Sequence, residues 1–382
     1  MEKEKVFGYI DELYPEYLQF WADICETESP TTYKAGVDAV GALCADCAAK
    51  YGWQVITHKE AVSGDALCIV MNPDAPGKSI CLSGHMDTVH PVGSFGKPAV
   101  RIEDGKIYGP GVADCKGGIA AAFLAMAALQ KAGFADRPVK LILQSDEENG
   151  SATSDKRTVG FMADMASGCA AFLNTEPHTP DKLLLTRKGI CKFRFDITGK
   201  AFHAGACYQG VSAIAEAAKI ILELEKYKDK DGITFSCGLI TGGTAINTVP
   251  EFCTFHVDSR FATQQQRDEI LQIVHSFEEN TFHPEATCKV SMASYRCAME
   301  VNDQSLALLE RMNEIFRQTG LPEQERSGSN GGSDAADMNG FGIAAIDGFG
   351  TNGRKFHNRG EESDIASLTE AAQRMAAIIM YL

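Results

Sequence analysis

The sequence has no excess of basic residues and no long apolar run. Its 36 Lys and Arg are outnumbered by 51 Asp and Glu, which gives a formal net charge of −15. A chain without basic excess has little with which to neutralise phosphates, which argues against a nucleic-acid partner and an anionic membrane surface. No apolar run is long enough to span a bilayer, and the polar segment 1–5 (MEKEK) does not open a signal peptide. We therefore expect a cytoplasmic protein with no membrane contact.

The cysteines lack the spacing of a disulfide framework. There are 13 of them, an odd number, and without an export signal they are expected to be mostly reduced and buried. The single C-x-x-C at Cys44–Cys47 has no second pair and falls inside a predicted helix, so helix packing is favoured over zinc binding. The G-x-G-x-x-G at 348–353 does not open a small-residue helix, which argues against dinucleotide binding.

With 382 residues the chain exceeds what one hydrophobic core usually serves, so two domains are expected. Strand-like and helical segments alternate to about residue 180, which predicts an α/β domain with a mostly parallel sheet and helices on both faces. Residues 186–296 follow the order β-α-β-β-α-β, typical of a ferredoxin-like α+β domain. We place this domain as an insertion into a catalytic metal-binding domain of residues 1–185 and 297–382. Residues 327–334 (SGSNGGSD) are expected to form a glycine-rich loop.

Most of the possible metal ligands occur just after short apolar runs, and His357 lies further beyond one. In an open α/β sheet, ligands bind outside the carboxyl ends of the strands, so side chains that follow successive strands can meet at one edge. Asp114 lies elsewhere, in a glycine-rich turn just before a predicted helix. Taken singly, each residue also fits an ordinary role as a solvated loop histidine, a helix cap or a polar turn. The candidates that follow apolar runs are His85, Glu147, Glu148, Glu176 and His357.

Together these segments resemble a known family. In chain order they read GHMDTV, YGPGVADCKGG, SDEENGS, NTEP, GKAFHAG, GGTAINTVPE, GGSDAA and the late His357. The series resembles the dinuclear zinc amidohydrolases, which include glutamate carboxypeptidase, peptidase T, aminoacylase and succinyl-diaminopimelate desuccinylase. The resemblance covers nearly the whole chain, and the sequences of the motifs are most similar to those of the glutamate carboxypeptidase branch.

The resemblance implies two divalent metal ions, zinc first, with cobalt or manganese as alternatives. Asp114 would bridge the two ions. His85 and Glu176 would complete one site, and Glu148 and His357 would complete the other.

The resemblance also implies the catalytic roles. A water shared by the two metals would attack the carbonyl, with Glu147 as the general base and with Asp87 orienting His85. The family has a cis peptide after the bridging Asp. The next residue here is Cys115 where many members carry Asp or Met, and inert packing is the favoured interpretation of this thiol.

Four further residues are implied to bind substrate. His203 resembles the family histidine that steadies the oxyanion and often reaches the partner subunit's site, which suggests a homodimer through the inserted domain. Asn247 resembles an asparagine near the oxyanion or the substrate carboxylate. Arg296 would grip that carboxylate, and the GGSD segment that contains Gly332 would line the pocket with backbone N–H groups.

The predicted function is metal-dependent hydrolysis of an amide or peptide bond in a small substrate, with release of a C-terminal amino acid as in glutamate carboxypeptidases. An N-acyl-amino-acid deacylase or a di- or tripeptidase remains open within the same chemistry. A catalytically silent binding subunit is the alternative of a different class, which the presence of every ligand type and of the base disfavours.

Overall fold

The computed structural model describes residues 2–382, which form two compact units. The first unit runs to Leu185 and includes Val301–Gly328 and Ser333–Leu382. The second unit consists of Thr186–Glu300 and Ser329–Gly332. Each unit has its own cluster of buried apolar side chains, so each has a core of its own.

Residues 2–174 begin with two helices and five strands, after which helices and strands alternate. The helices here are α1 (Lys3–Glu26), α2 (Lys34–Lys50), α3 (Lys116–Ala132) and α4 (Arg157–Ala166). The strands are β1 (Gln54–His58), β2 (Ala66–Met71), β3 (Ile80–His85), β4 (Arg101–Glu103), β5 (Lys106–Tyr108), β6 (Val139–Gln144) and β7 (Ala171–Asn174).

The middle of the chain is richer in strands. Its strands are β8 (Lys182–Arg187), β9 (Gly189–Thr198), β10 (Phe202–His203), β11 (Thr234–Gly242), β12 (Thr248–Val249), β13 (Phe252–Phe261) and β14 (Thr287–Arg296). Its helices are α5 (Ala213–Leu224) and α6 (Gln264–Glu279).

The last part returns the chain to the first unit. Its elements are α7 (Asp303–Thr319), β15 (Glu325–Ser329), α8 (Asp334–Gly340), β16 (Ala345–Ile346), β17 (Gly353–Arg354), β18 (Glu362–Asp364) and α9 (Ser367–Tyr381). The loop expected over 327–334 is only partly a loop. Its first residues belong to β15, which pairs with β8, and Asp334 begins α8.

The main sheet of the first unit has the order β1-β2-β6-β3-β7-β16. Strands β6, β3, β7 and β16 run parallel, and β2 and β1 are added antiparallel at one side. Helix α3 packs with α1 and α9, while α4 and α8 pack with each other. Because α3 lies against other helices and the sheet, its residues are buried along nearly its whole length. The predicted mostly parallel sheet with helices on both faces is confirmed.

The second unit contains an antiparallel sheet of order β11-β13-β9-β14, joined by α5 and α6. The side chains that alternate inward from β9 and β13 include Phe195 and Phe255, whose rings stack with centroids 4.5 Å apart. Thr263 caps α6, since its side chain accepts a hydrogen bond from the backbone N–H of Gln266. The ferredoxin-like β-α-β-β-α-β order is confirmed. Within residues 2–382, no helix has the length and apolarity needed to cross a membrane.

Candidate metal centre

Parallel pairing brings three ligand-bearing segments to one edge of the main sheet. The last residue of β3, His85, lies beside Gln144 at the end of β6, and Ser83 lies beside Asn174 at the end of β7. The three strands therefore end close together at the same edge of the sheet. A short 3₁₀ helix, Glu147–Asn149, follows β6, and Glu176 lies two residues beyond β7.

Asp114 lies between the two histidines. Its Oδ1 is 3.0 Å from Nε2 of His85, and its Oδ2 is 3.3 Å from Nε2 of His357. Glu176 Oε1 lies 3.5 Å from the same nitrogen of His85, and Glu148 Oε2 lies 3.2 Å from that of His357. The structure thus brings the five predicted ligands together, with one carboxylate between two imidazole–carboxylate pairs.

The ring of His85 is fixed from the opposite side. Its Nδ1 is 3.0 Å from the backbone oxygen of Asp87 and 3.3 Å from the carboxylate of that residue. Since Nδ1 faces these acceptors, it carries a proton, and Nε2 is the ring nitrogen that faces Asp114. The backbone N–H of His85 donates to Sγ of Cys115 at 3.0 Å, and the peptide bond after Asp114 is cis, as the resemblance predicted.

Asp87 contacts more than His85. Its carboxylate accepts hydrogen bonds from the hydroxyl of Thr31 at 2.7 Å and from the backbone N–H groups of Glu147 and Glu148, each at 3.1 Å. The side chain is fully buried. One carboxylate therefore fixes both the ring at the end of β3 and the turn after β6.

Glycines allow the segment after β7 to pack closely against its neighbours. A Cβ atom at Gly118 would lie 2.1 Å from the carbonyl oxygen of Thr175, and one at Gly350 would lie 2.2 Å from the same oxygen. The backbone N–H of Gly350 donates to the carbonyl of Glu176 at 2.9 Å. The G-x-G-x-x-G stretch thus serves the close approach of two backbones, and it opens no helix.

The charges at this edge are strongly coupled. Burial raises the pKa of the Glu148 carboxyl to about 8, and hydrogen bonds to Asp114 and Glu148 raise the pKa of His357 to about 10. Burial opposes ionisation of Asp114, but hydrogen bonds from His357 and His85 outweigh it and hold its pKa below the usual range. Burial also disfavours the charged form of His85, but Cys115 and Asp114 outweigh it and raise its pKa. The cluster therefore favours a positive charge between its carboxylates.

This donor set fits metal ions. Each Nε2 atom faces carboxylate oxygens, so a proton or a cation must lie between the acceptors. Ligand atoms of His85, Asp114 and Glu148 lie within 4.8 Å of one another, and so do those of His85, Cys115 and Glu176. Nitrogen and oxygen donors of this kind suit zinc, cobalt or manganese.

His203 and Asn247 are neighbours in the second unit. Strand β10 pairs with β12, and the backbone N–H of Ala204 donates to the carbonyl of Asn247 at 2.9 Å. Nδ1 of His203 accepts a hydrogen bond from the backbone N–H of Gly205 at 3.1 Å. The neutral ring therefore carries its proton on Nε2, which makes this exposed side chain a hydrogen-bond donor.

Arg296 and Gly332 also meet in the second unit. Arg296 ends β14 and is 3% exposed. A Cβ atom at Gly332 would lie 2.6 Å from Cδ of Arg296, and Nη1 of Arg187 donates to the carbonyl of Gly332 at 3.3 Å. The glycine thus leaves room for the arginine side chain beside it.

Two residues near the centre, Glu361 and His90, were not predicted from the sequence to take part in it. In the structure Glu361 is 1% exposed and accepts hydrogen bonds from the backbone N–H groups of Gly111, Ala113 and Asp114. His90 Nε2 lies 3.2 Å from the same carboxylate. The only signal in the sequence was a glutamate four residues after His357, which alone predicts nothing.

Most of the cysteines are buried, as expected, but not all of them. Nine of the 13 are buried, including Cys44 and Cys47 in α2, three are half-buried and Cys207 is exposed. Cys115 is fully buried, and burial raises the pKa of its thiol to about 12.

Known proteins resemble this chain over most of its length. Carboxypeptidase G2 of Pseudomonas sp. (strain RS-16) is 29% identical over 376 residues, covering 96% of this chain and 89% of that protein. Acetylornithine deacetylase of Myxococcus xanthus is 27% identical over 249 residues, covering 61% of this chain and 63% of that protein. The Bacillus subtilis YXEP protein, described as a dinuclear metal-binding peptidase of family M20, matches in fold with a TM-score of 0.72 at 16% identity, covering 97% of this chain and 100% of that one.

The family assignment rests on a match to most of the chain. Residues 81–381 match the model of peptidase family M20/M25/M40, a range that includes His85, Asp114, Glu148, Glu176 and His357. All the residues of the candidate metal centre thus fall inside the matched region. The chain belongs to peptidase family M20/M25/M40 and is a metal-dependent hydrolase of that family.

Proposed function

We propose that the protein hydrolyses an amide bond in a small peptide or N-acyl amino acid, at a centre of two divalent ions bridged by Asp114. The observation that carries this proposal is the position of Asp114, whose two oxygens face two different histidine nitrogens at 3.0 and 3.3 Å. A carboxylate that binds a single ion has no need of a second imidazole on its other oxygen. His85 and Glu176 would hold one ion, and Glu148 and His357 would hold the other.

Bound in this way, two divalent ions would polarise the scissile carbonyl and lower the pKa of a water between them. Glu147 is the general base, which takes the proton from the attacking water and delivers it to the leaving nitrogen. Its backbone N–H donates to Asp87, the residue that also fixes His85, so the base and the ligand share one support. His203, a donor at Nε2, would stabilise the oxyanion.

The proposed substrate class is a small molecule with a C-terminal amino acid, glutamate first. The similarity to carboxypeptidase G2 over 96% of the chain supports this choice. Arg296 and the backbone of Gly332 are the proposed contacts for the substrate carboxylate. A deacylase hydrolyses the same kind of amide bond, with the same proton transfers, in a substrate that has a smaller acyl group. The similarity to acetylornithine deacetylase supports this activity as the second candidate.

The test is a hydrolysis screen on metal-loaded protein, with dipeptides, N-acetyl amino acids and aminobenzoyl-glutamate conjugates as substrates. We expect release of the C-terminal amino acid, and we expect Glu147→Ala to lower kcat by about 10²- to 10⁴-fold while both metal equivalents are retained. Glu310→Ala, which changes an exposed glutamate on α7, is the matched control and should turn over normally. Turnover that survives in Glu147→Ala would remove this residue from its role.

We further propose that two copies associate through the second unit. Strand β11 is at the edge of its sheet, and its outer residues Leu239 and Ile240 are 68% and 52% exposed. Ile246, in the loop that follows, is fully exposed. An exposed apolar edge strand is a ready pairing surface, and a second β11 is its natural partner.

Sedimentation at several protein concentrations tests this association. Leu239→Asp with Ile240→Asp should shift a dimer to a monomer. Phe341→Asp, at a similarly exposed apolar residue of the first unit, should leave the dimer unchanged. A wild-type protein that sediments as a monomer at every concentration would contradict the proposal.

A further inference from the structure

We propose that Glu361 is a positioning residue, which holds the loop of Asp114 in register with the segment of His357. The inference rests on the proposed function, because it assigns a role in building the same metal centre. Glu361 accepts hydrogen bonds from the backbone of the loop that carries Asp114, so it would act through that backbone.

Three hydrogen bonds to the carboxylate of Glu361 come from a single loop. Its Oε1 accepts hydrogen bonds from the backbone N–H groups of Ala113 at 2.9 Å and Asp114 at 3.1 Å. Its Oε2 accepts from the backbone N–H of Gly111 at 3.2 Å and lies 3.2 Å from Nε2 of His90. The loop from Gly111 to Asp114 lies outside the helices and strands, so these N–H groups do not take part in the hydrogen bonds of a helix or a sheet.

The same residue fixes the histidine segment. Glu361 lies four residues after His357, and its backbone N–H donates to the carbonyl of Asn358 at 2.9 Å. His357 lies in the connection between β17 and β18 with a φ of 59°, and its side chain is 56% exposed. Packing therefore does little to hold the ring of His357. Its position then depends on the backbone of its loop, which Glu361 helps to fix.

A third ligand-bearing segment meets the same carboxylate. His90 lies five residues beyond His85, in the loop that leaves β3. The segments of His85, Asp114 and His357 thus converge on Glu361. Since Asp114 must present one oxygen to each histidine, a small tilt of its loop would disturb both halves of the centre together.

Glu361→Gln separates this role from general packing. The amide keeps the volume and one acceptor oxygen, but its NH₂ group would face the N–H of Gly111 and cannot accept from it. Glu362→Gln is the matched control, since Glu362 is 7% exposed and its carboxylate binds Lys106 at 2.8 Å and Lys355 at 3.0 Å.

Metal affinity is measured by competition with a chelator, and magnetic coupling between two Mn²⁺ ions by electron paramagnetic resonance. We expect Glu361→Gln to weaken binding of the second metal equivalent roughly 10- to 100-fold, the range found for residues that support metal ligands. We also expect it to reduce the coupling signal and to lower kcat more than it changes KM. Glu362→Gln should change none of these beyond about twofold. Wild-type affinity and coupling in Glu361→Gln would overturn the proposal.

His90→Gln provides a second variant in case Glu361→Gln does not fold. It removes a single contact to the carboxylate, so we expect a several-fold loss in affinity for the second equivalent, and unchanged affinity would overturn the proposal. A wild-type protein that binds fewer than two ions would instead refute the proposed dinuclear centre. The two failures are therefore distinguishable.

Discussion

The two histidines of the candidate metal centre are held in very different ways. His85 is the last residue of a central strand, and its side chain is 1% exposed. Its ring is fixed by Asp87, and its backbone N–H donates to Cys115. His357 belongs to a loop, has a φ of 59° and has a side chain that is 56% exposed.

This contrast implies that one half of the centre is preformed by the sheet and the other half is completed by a loop. A preformed ligand loses little freedom when it binds a metal, whereas an exposed loop residue must be ordered at that moment. The two ions should therefore bind with unequal affinity, with the tighter ion in the His85 half. Asp114, which contacts both rings, would couple the two.

The largest expected effect comes from removing each histidine in turn. His85→Ala should abolish hydrolysis and reduce metal content below one equivalent, because the better-ordered half is lost and Asp114 loses a partner. His357→Ala should also abolish hydrolysis but should retain about one tightly bound equivalent, with the second weakened by more than roughly 100-fold. Metal analysis after dialysis against a weak chelator distinguishes the two variants. Equal metal loss in both would break the proposed asymmetry.

The sequence predicted the sheet edge that holds His85, Glu148 and Glu176 for a physical reason. Apolar runs end at Ser83, Gln144 and Leu173, and parallel strands that end together deliver the following residues to one edge. The alternation of strands and helices was likewise enough to predict the sheet. These features depend on local periodicity, which can be seen in a single sequence.

The features that the sequence did not predict depend on backbone groups far apart in the chain. Glu361 lies 250 residues from Gly111, and its partners are N–H groups that every residue except proline possesses. The small sheet β17-β18-β5-β4, which supports the His357 segment, has strands of only two or three residues. Strands this short carry no periodic pattern, so the local supports of the loop half were not predictable.

The next prediction sharpens the comparison through pH. Protons compete with metals for ligands, and in the His357 half both His357, with a pKa of about 10, and Glu148, with a pKa of about 8, hold protons at neutral pH. Metal affinity of this half should therefore rise with pH, roughly tenfold per unit for each proton displaced. Below about pH 8 the metal must displace two protons, one from Glu148 and one from His357. Between about pH 8 and 10 it must displace only the proton of His357.

Calorimetric titration with Zn²⁺ in buffers of different ionisation enthalpy measures the protons released. We expect the weaker equivalent to release more protons than the tighter one, and His357→Ala to lose the steeper dependence. The same proton release from both equivalents would show that the halves do not differ in this respect.

The smallest expected effect concerns Cys115, which lies on the buried side of the comparison. Its Sγ accepts the N–H of His85, and a thiol whose pKa is raised to about 12 remains protonated at neutral pH, which makes it a poor metal ligand. Cys115→Ser keeps an acceptor at the same position, so we expect metal affinity and kcat within about threefold of wild type. Cys115→Ala should lower the free energy of unfolding by about 1 kcal/mol through the lost contact. The contrary outcome is a sulfur-to-metal charge-transfer band in the Co²⁺-loaded protein that disappears in Cys115→Ser, which would identify the thiol as a metal ligand. Tighter metal binding in the His85 half would then come from the sulfur ligand and not from the ordered end of the strand.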